Sequence, residues 1–89
     1  MLRLTATSQS ECQVVLAVDG WVAGVDVALL EQEIARQLGD AEELVLDLGG
    51  VRFIDKAGLA LLERWSGHRL VLRGGSSFVR ALLETHRLL

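Results

Sequence analysis

Apolar and polar residues change their period along this chain, and the changes mark the elements. In LRLTAT, Leu2, Leu4 and Ala6 alternate with polar neighbours, the period of a half-buried strand. SQSE reads as a polar turn, and CQVVLAV follows as a second strand rich in β-branched residues. Two strands joined by a short polar loop predict an antiparallel hairpin. DGWVAG, with its two glycines, ends that pattern and leaves Trp21 in a glycine-flanked loop.

From Val25 to Leu38 the period turns helical. Val27, Leu30, Ile34 and Leu38 share one stripe, Asp26, Glu33, Arg36 and Gln37 fall away from it, and Gly39 supplies a C-terminal stop. ELVLDL, Glu43 to Leu48, is a nearly continuous apolar run of the kind found in strands covered on both faces. GGVRFID then reads as a loop with a few extended residues. Ala57 to Trp65 form a short helix with Asp55 as its N-cap. HRLVLR is a further strand whose charges at His68, Arg69 and Arg73 suit a sheet edge that must not pair with another chain. After Gly74 and Gly75, Ser76 or Ser77 can cap a last helix carrying Phe78, Val79, Leu82, Leu83 and Leu89.

The order is β-β-α-β-α-β-α. Strands separated by helices imply parallel crossovers and the opening hairpin implies one antiparallel pair, so the expected fold is α/β with a mixed four-stranded sheet.

Length and charge narrow the reading. The chain has 89 residues, room for one domain with one core. Hydrophobic residues make up 51%, so either the core is dense in Leu, Val and Ala or some apolar surface is reserved for a partner. Nine basic against twelve acidic residues give a formal charge of −3, which argues against a nucleic-acid partner. The arginines of the second half, at 64, 69, 73, 80 and 87, are spread over several elements rather than gathered in a stripe. A single cysteine, Cys12, excludes an intramolecular disulfide and fits a reducing compartment. The N-terminus turns polar too soon for a signal peptide, and no apolar run approaches the ~18 residues of a membrane span. A cytoplasmic protein without membrane insertion is expected.

No catalytic, metal or cofactor site assembles from the sequence. Serines 8, 10, 66, 76 and 77 fall in turns or caps, where serine is favoured for its backbone hydrogen bonds. His68 and His86 lie apart with no surrounding motif. Gly49-Gly50 and Gly74-Gly75 match no phosphate-binding pattern and read as tight strand-to-helix turns. Asp47 and Asp55 bracket a loop, the first as a polar strand residue and the second as a cap. In GLALL, Gly58 to Leu62, the apolar residues point all round the helix. One inward face cannot hold them all, which leaves two readings: part of this helix, with Trp21, forms an exposed patch facing a partner, or Trp21 plugs the end of the sheet and Leu59 packs under a loop.

Leu44 to Leu62, LVLDLGGVRFIDKAGLALL, resembles the signature of STAS domains, the family of bacterial anti-sigma-factor antagonists and sulfate-transporter tails. The likeness continues backward through VVLAVDGWVAGVDVALLEQEI and forward through LVLRGGSSFVRALLETHRL. It implies helices packed mainly on one face of the sheet, and a non-enzymatic module that docks on a protein partner such as an anti-sigma kinase. In regulated members a hydroxyl residue just after the signature Asp is phosphorylated. The matching residue here is Lys56, whose amine cannot take that role. The acid that the family often carries after Gly-x-Leu is replaced by Ala23 in Gly20-Trp21-Val22-Ala23. Both departures point to a domain that has lost phosphoregulation. The resemblance also makes residues 1–89 a single STAS-like domain without the family's last strand and helix. A domain trimmed in that way would leave core surface open for a subunit to cover.

IDKAGLALL also resembles the STAS subunit of a bacterial phospholipid-transport ABC complex, which rests on the transporter ATPase. A third reading, from the nucleotide binding proposed for some STAS domains, is a ligand-responsive domain, although no phosphate motif supports it. The expected contact residues are Trp21, Asp55, Lys56, Ala57, Gly58, Leu59 and Glu63, with no cofactor and with self-association into a homodimer left open. A cation opening a helix is unusual, because the N-terminal end carries about half a positive charge. Two readings of Lys56 stand: it reaches an acidic residue of the partner, or it is a solvated side chain at a drifted site.

Overall fold

The structure, a computed structural model, describes residues 1–8, 10 and 12–89, without the side chain of Ser8. The elements are β1 (Leu2–Ser8), β2 (Gln13–Val22), α1 (Asp26–Asp40), β3 (Glu43–Ile54), α2 (Lys56–Trp65), β4 (Leu70–Arg73) and α3 (Ser77–Thr85). The expected polar turn at residues 8–11 lies partly outside the described residues. The strands form one sheet in the order β1-β2-β3-β4. β1 pairs antiparallel with β2, and β2-β3 and β3-β4 are parallel, as the crossovers through α1 and α2 require.

Alternation sorts the sheet into two faces. Leu16 and Val18 of β2 and Leu44, Leu46 and Leu48 of β3 are buried together with Leu30 and Ile34 of α1, Leu61 and Leu62 of α2 and Val79 and Leu83 of α3. All three helices therefore cover one face. The other face carries Val15, Val45 and Val71 across three strands, with Ala17, Asp47 and Arg73 beside them in register. The continuous apolar run of β3 thus does not mean helices on both sides. Val45 is buried by its neighbours in the sheet, outside the main core cluster.

The α1 stripe is as its period predicts: Val27, Leu30, Ile34 and Leu38 are its buried residues. Gly39 does not stop the helix, which runs on to Asp40 and ends where Ala41 turns extended, its N–H donating to the Gln37 carbonyl at 2.9 Å. The last turn of α1 holds no basic residue, and Arg69 supplies one from β4's approach. Its guanidinium donates to the carbonyls of Leu38 at 3.2 Å and Ala41 at 3.1 Å, which satisfies oxygens that a helix end leaves open and puts a cation against the negative end of its dipole. Arg73 pairs with Asp47 of β3 at 3.2 Å. β4 is an edge strand, as expected, but these two of its charges bind neighbouring elements rather than guard the edge.

Two predicted loops are strand. β2 continues through Asp19-Gly20-Trp21-Val22, so Trp21 lies on a strand and not in a loop. β3 runs twelve residues to Ile54, taking in the GGVRFI segment. The pairing shifts register between Ala17 and Asp19 and again between Gly20 and Trp21, and such bulges tolerate glycine where an ordinary ladder does not favour it. A side chain at Gly50 would collide with the Asp19 carboxylate, and one at Gly20 with the Met1 carbonyl, so these glycines permit close approach. Gly74 and Gly75, by contrast, make the expected tight turn, with φ of 74° and 108°, and Ser76 caps α3. Phe78 and Leu89 remain exposed, and Leu89 lies beyond the end of α3.

Candidate docking site

The carboxyl ends of β2 and β3 and the amino ends of α1 and α2 meet at one end of the sheet. Trp21 pairs in register with Phe53, and Val22 with Ile54. Val22 and Ile54 are buried in the core, so Trp21 and Phe53 project from the opposite face. Their rings lie 5.6 Å apart between centroids, tilted by 58°, within the range of a favourable aromatic pair. Both stay open to solvent, Trp21 at 54% and Phe53 at 39% exposure. Nearby in sequence, Val25 is 85% exposed and Leu29, one turn along α1 on the same side, 53%.

Asp55 ties the two crossovers together. Its backbone N–H donates to the Val22 carbonyl at 3.1 Å. One carboxylate oxygen accepts from Gly58 N–H at 2.8 Å, the expected N-cap bond, and the other from Gly24 N–H at 3.0 Å in the β2-α1 loop. These two N–H donors, Gly24 first, hold the Asp55 carboxyl below its ordinary range, since both favour the charged form. The loop before α1 is thereby fixed to the start of α2, and the sheet end is rigid where the aromatic pair sits.

The predicted contact residues separate on this frame. Trp21, Asp55, Lys56 and Ala57 share the sheet end, with Lys56 and Ala57 exposed and Asp55 half-buried. Gly58 and Leu59 are buried, Leu59 at 7% exposure, and Leu61 and Leu62 are buried with them. The apolar patch expected on the outer side of α2 therefore does not exist. α2 sinks onto the sheet at Gly58, where an added Cβ would stand 2.6 Å from the Val22 carbonyl oxygen and 2.8 Å from Ile54 Cγ2. At that depth, with α1 alongside, three leucines fit inward and only Ala60 is left half-exposed. Glu63 is exposed, but it lies two turns along α2, about 10 Å from Lys56 by helix rise, where His86 Nδ1 stands 4.0 Å from its carboxylate.

Phe53 belongs to this surface and does not stand out in the sequence. Reading VRFI as strand would have shown Ile54 and Phe53 on opposite faces, but only the register across β2 brings Phe53 to Trp21. A second cluster lies between α1 and α2. Glu31 accepts from Trp65 Nε1 at 3.0 Å and from Arg64 Nη2 at 3.1 Å, and with His68 these line a shallow cavity. The Trp65 indole first, then Arg64, holds the Glu31 carboxyl low. All its polar groups except those of His68 answer one another, which marks it as a bridge between helices.

Among the described residues no group of three or more His, Cys, Asp and Glu is placed to hold a metal ion, and no helix is long and apolar enough to cross a membrane.

The family model described as "Mlab, STAS domain" matches residues 5–88. Among curated proteins, none matches in sequence. Among solved structures, the chain is similar to the anti-sigma factor antagonist SpoIIAA in its unphosphorylated form, at 18% identity and a TM-score of 0.77, over 97% of this chain and 82% of that one. It is also similar to an anti-sigma factor antagonist from Mycobacterium paratuberculosis, at 25% identity and a TM-score of 0.80, over 99% of this chain and 80% of that one.

Proposed function

The chain belongs to the STAS domain family, and from that premise we propose that it works without catalysis, docking on a protein partner and regulating it. The contact surface is the sheet end that bears Trp21, Phe53, Lys56 and Ala57. The exposed Trp21–Phe53 pair carries this reading, because large aromatic rings left in water at a rigid site are the usual anchors of protein interfaces. An anti-sigma factor or a related sensor kinase is the first partner class, in keeping with the two antagonists that share the fold.

Binding is not switched by phosphorylation at the signature position. Phosphorylation there would add roughly −1.5 to −2 charge, whereas Lys56 places a cation. One specific observation favours a second partner. The family description names Mlab, and Asp55-Lys56-Ala57-Gly58-Leu59-Ala60-Leu61-Leu62 resembles the transporter subunit's run, so an ABC-transporter ATPase is the second class.

Photo-crosslinking in the organism of origin tests the surface and chooses between the classes. Benzoylphenylalanine replaces Phe53 in one bait and Ala35, on the exposed side of α1, in the other. The expected result is one dominant adduct from position 53 that is missing from position 35, identified by mass spectrometry as a kinase or an ATPase. Equal adducts from both positions, or none from 53, refute the docking surface.

A further inference from the structure

Independently of the docking surface, we propose that the outer edge of β1 pairs antiparallel with the same edge of a second copy of this chain, about a two-fold axis at Thr5. β1 ends the four-stranded sheet and is bonded to β2 alone. One hydrogen bond decides which backbone groups it leaves open. Directly opposite residues of an antiparallel pair alternate between those that exchange both hydrogen bonds and those that exchange none. The Trp21 N–H donates to the Met1 carbonyl at 3.0 Å, and the register then sets Leu2 against Gly20, Arg3 against Asp19 and Leu4 against Val18. Arg3, Thr5 and Thr7 therefore bond β2, while Leu2, Leu4 and Ala6 turn their N–H and C=O groups outward. Among the described residues no other element bonds them.

A bare edge is a template for another strand, and sheets ordinarily blunt it with short length, charge, proline or a bulge. The two edges of this sheet differ in that respect. β4 has four residues and ends in Arg73. β1 has seven, keeps its register with β2 through all of them without a shift, contains no proline and carries one charge, Arg3. Its occupant is thus a strand.

The pattern of β1 makes that strand its own copy. Its open groups belong to even-numbered residues, so an antiparallel mate must set even against even. With the axis at Thr5 the whole of β1 is used: Leu4 bonds Ala6 of the second copy and Leu2 bonds its Ser8. Leu2 and Leu4 lie on the helix-covered side, where they are only half-buried against the core, and the mate brings apolar side chains beside them. On the open side Thr5 meets Thr5 and Arg3 meets Thr7. Threonine pairs are favourable, and like charges directly opposite are destabilising, so the one charge of the strand stands clear of its own copy. An axis at Arg3 would set the two arginines face to face. The two-fold pairing also closes after two copies and does not grow into a filament. Seven residues a side make a smaller contact than the about 1,600 Å² of a standard interface, so the dimer is weak and depends on concentration.

Sedimentation equilibrium of the full chain from micromolar to millimolar concentration, with amide hydrogen exchange at both ends of that range, tests the pairing. The expected result is a mass that climbs from 9.7 kDa toward twice that value. Exchange at Leu4 and Ala6 slows several-fold with concentration, and Thr5 and Thr7, already bonded to β2, change less. Ala6→Pro removes one outward N–H and leaves the ladder to β2 whole, since an edge strand tolerates proline where its N–H faces solvent. That variant keeps the wild-type circular dichroism and stays monomeric across the range, whereas Trp21→Ala still dimerises.

A wild-type chain that is monomeric at every concentration would overturn the proposal, as would a folded Ala6→Pro that associates like wild type. A dimer lost in Trp21→Ala and kept in Ala6→Pro would move the contact between copies to the aromatic pair. Should Ala6→Pro fail to fold, the exchange pattern of the wild type decides, and no slowing at Leu4 and Ala6 sinks the edge pairing.

Discussion

Gly58→Ala tests the feature on which the site geometry depends, the descent of α2 onto the sheet. In a free helix this change would help, by up to about 1 kcal/mol in the interior and less in a first turn. In this fold the new methyl carbon meets the Val22 carbonyl oxygen at 2.6 Å, Ile54 Cγ2 at 2.8 Å and Val22 Cγ1 at 2.9 Å. None is the far end of a flexible side chain, and the carbonyl already accepts the Asp55 N–H. Overpacking a filled interior costs about 1–3 kcal/mol. The expected net effect is a loss of about 1–2 kcal/mol, the larger part of the steric cost surviving the propensity gain.

Gly39 is the matched control, because a Cβ there meets nothing within 4 Å. It lies near the end of α1, so Gly39→Ala is expected to gain a few tenths of a kcal/mol, up to about 1. Urea unfolding followed by far-ultraviolet circular dichroism measures both. With a slope of about 1 kcal/mol per molar, Gly58→Ala lowers the midpoint by about 1–2 M and Gly39→Ala raises it slightly. A Gly58→Ala midpoint at or above wild type would refute the reasoning, since α2 would then stand clear of the sheet and its leucines would need another explanation.

Three further outcomes follow from the same contacts. Leu59→Asp unfolds the domain, because it puts a carboxylate in the core, whereas Trp21→Ala leaves the urea midpoint within about 1 M; thermal and urea melts of the two distinguish a core residue from a surface one. Asp47, held low first by the Gly49 N–H and then by Arg73, Asp55 and Glu31 all have folded pKa values below their ordinary ones. Their contribution is therefore full above the ordinary carboxylate range and is lost as pH falls through the folded values, so urea midpoints fall from pH 7 to pH 3, and by less in Asp47→Asn. GTP or ATP at millimolar concentration leaves the melting temperature unchanged; a ligand at a hundred times its Kd would add about 2.7 kcal/mol and revive the ligand-responsive reading.

Much of the local structure is legible in the sequence, and the reason is that its signals are local. The 3.6-residue stripe of α1 names its four buried residues because a helix closes its own hydrogen bonds and asks the rest of the chain only for an apolar surface. Asp55 three residues before Gly58 gives the N-cap for the same reason. That Lys56 has no hydroxyl is a property of the side chain alone. The order of strands and helices, with one antiparallel and two parallel pairings, follows from crossover rules that apply to any such string.

Tertiary structure decided what depends on distance between elements. The register of β2 against β3, with its shifts at Ala17/Asp19 and Gly20/Trp21, turned two apparent loops into strand and set Trp21 beside Phe53, residues far apart in the chain. The missing Cβ at Gly58 let α2 approach closely enough to bury Leu59, which a count of apolar residues around an isolated helix left open between surface and interior. Arg69 capped a helix that ends some thirty residues earlier in the chain, and no periodicity encodes that contact. Periodicity reports which side of an element is apolar. How deep that side lies, and what meets it, is fixed only when the elements pack.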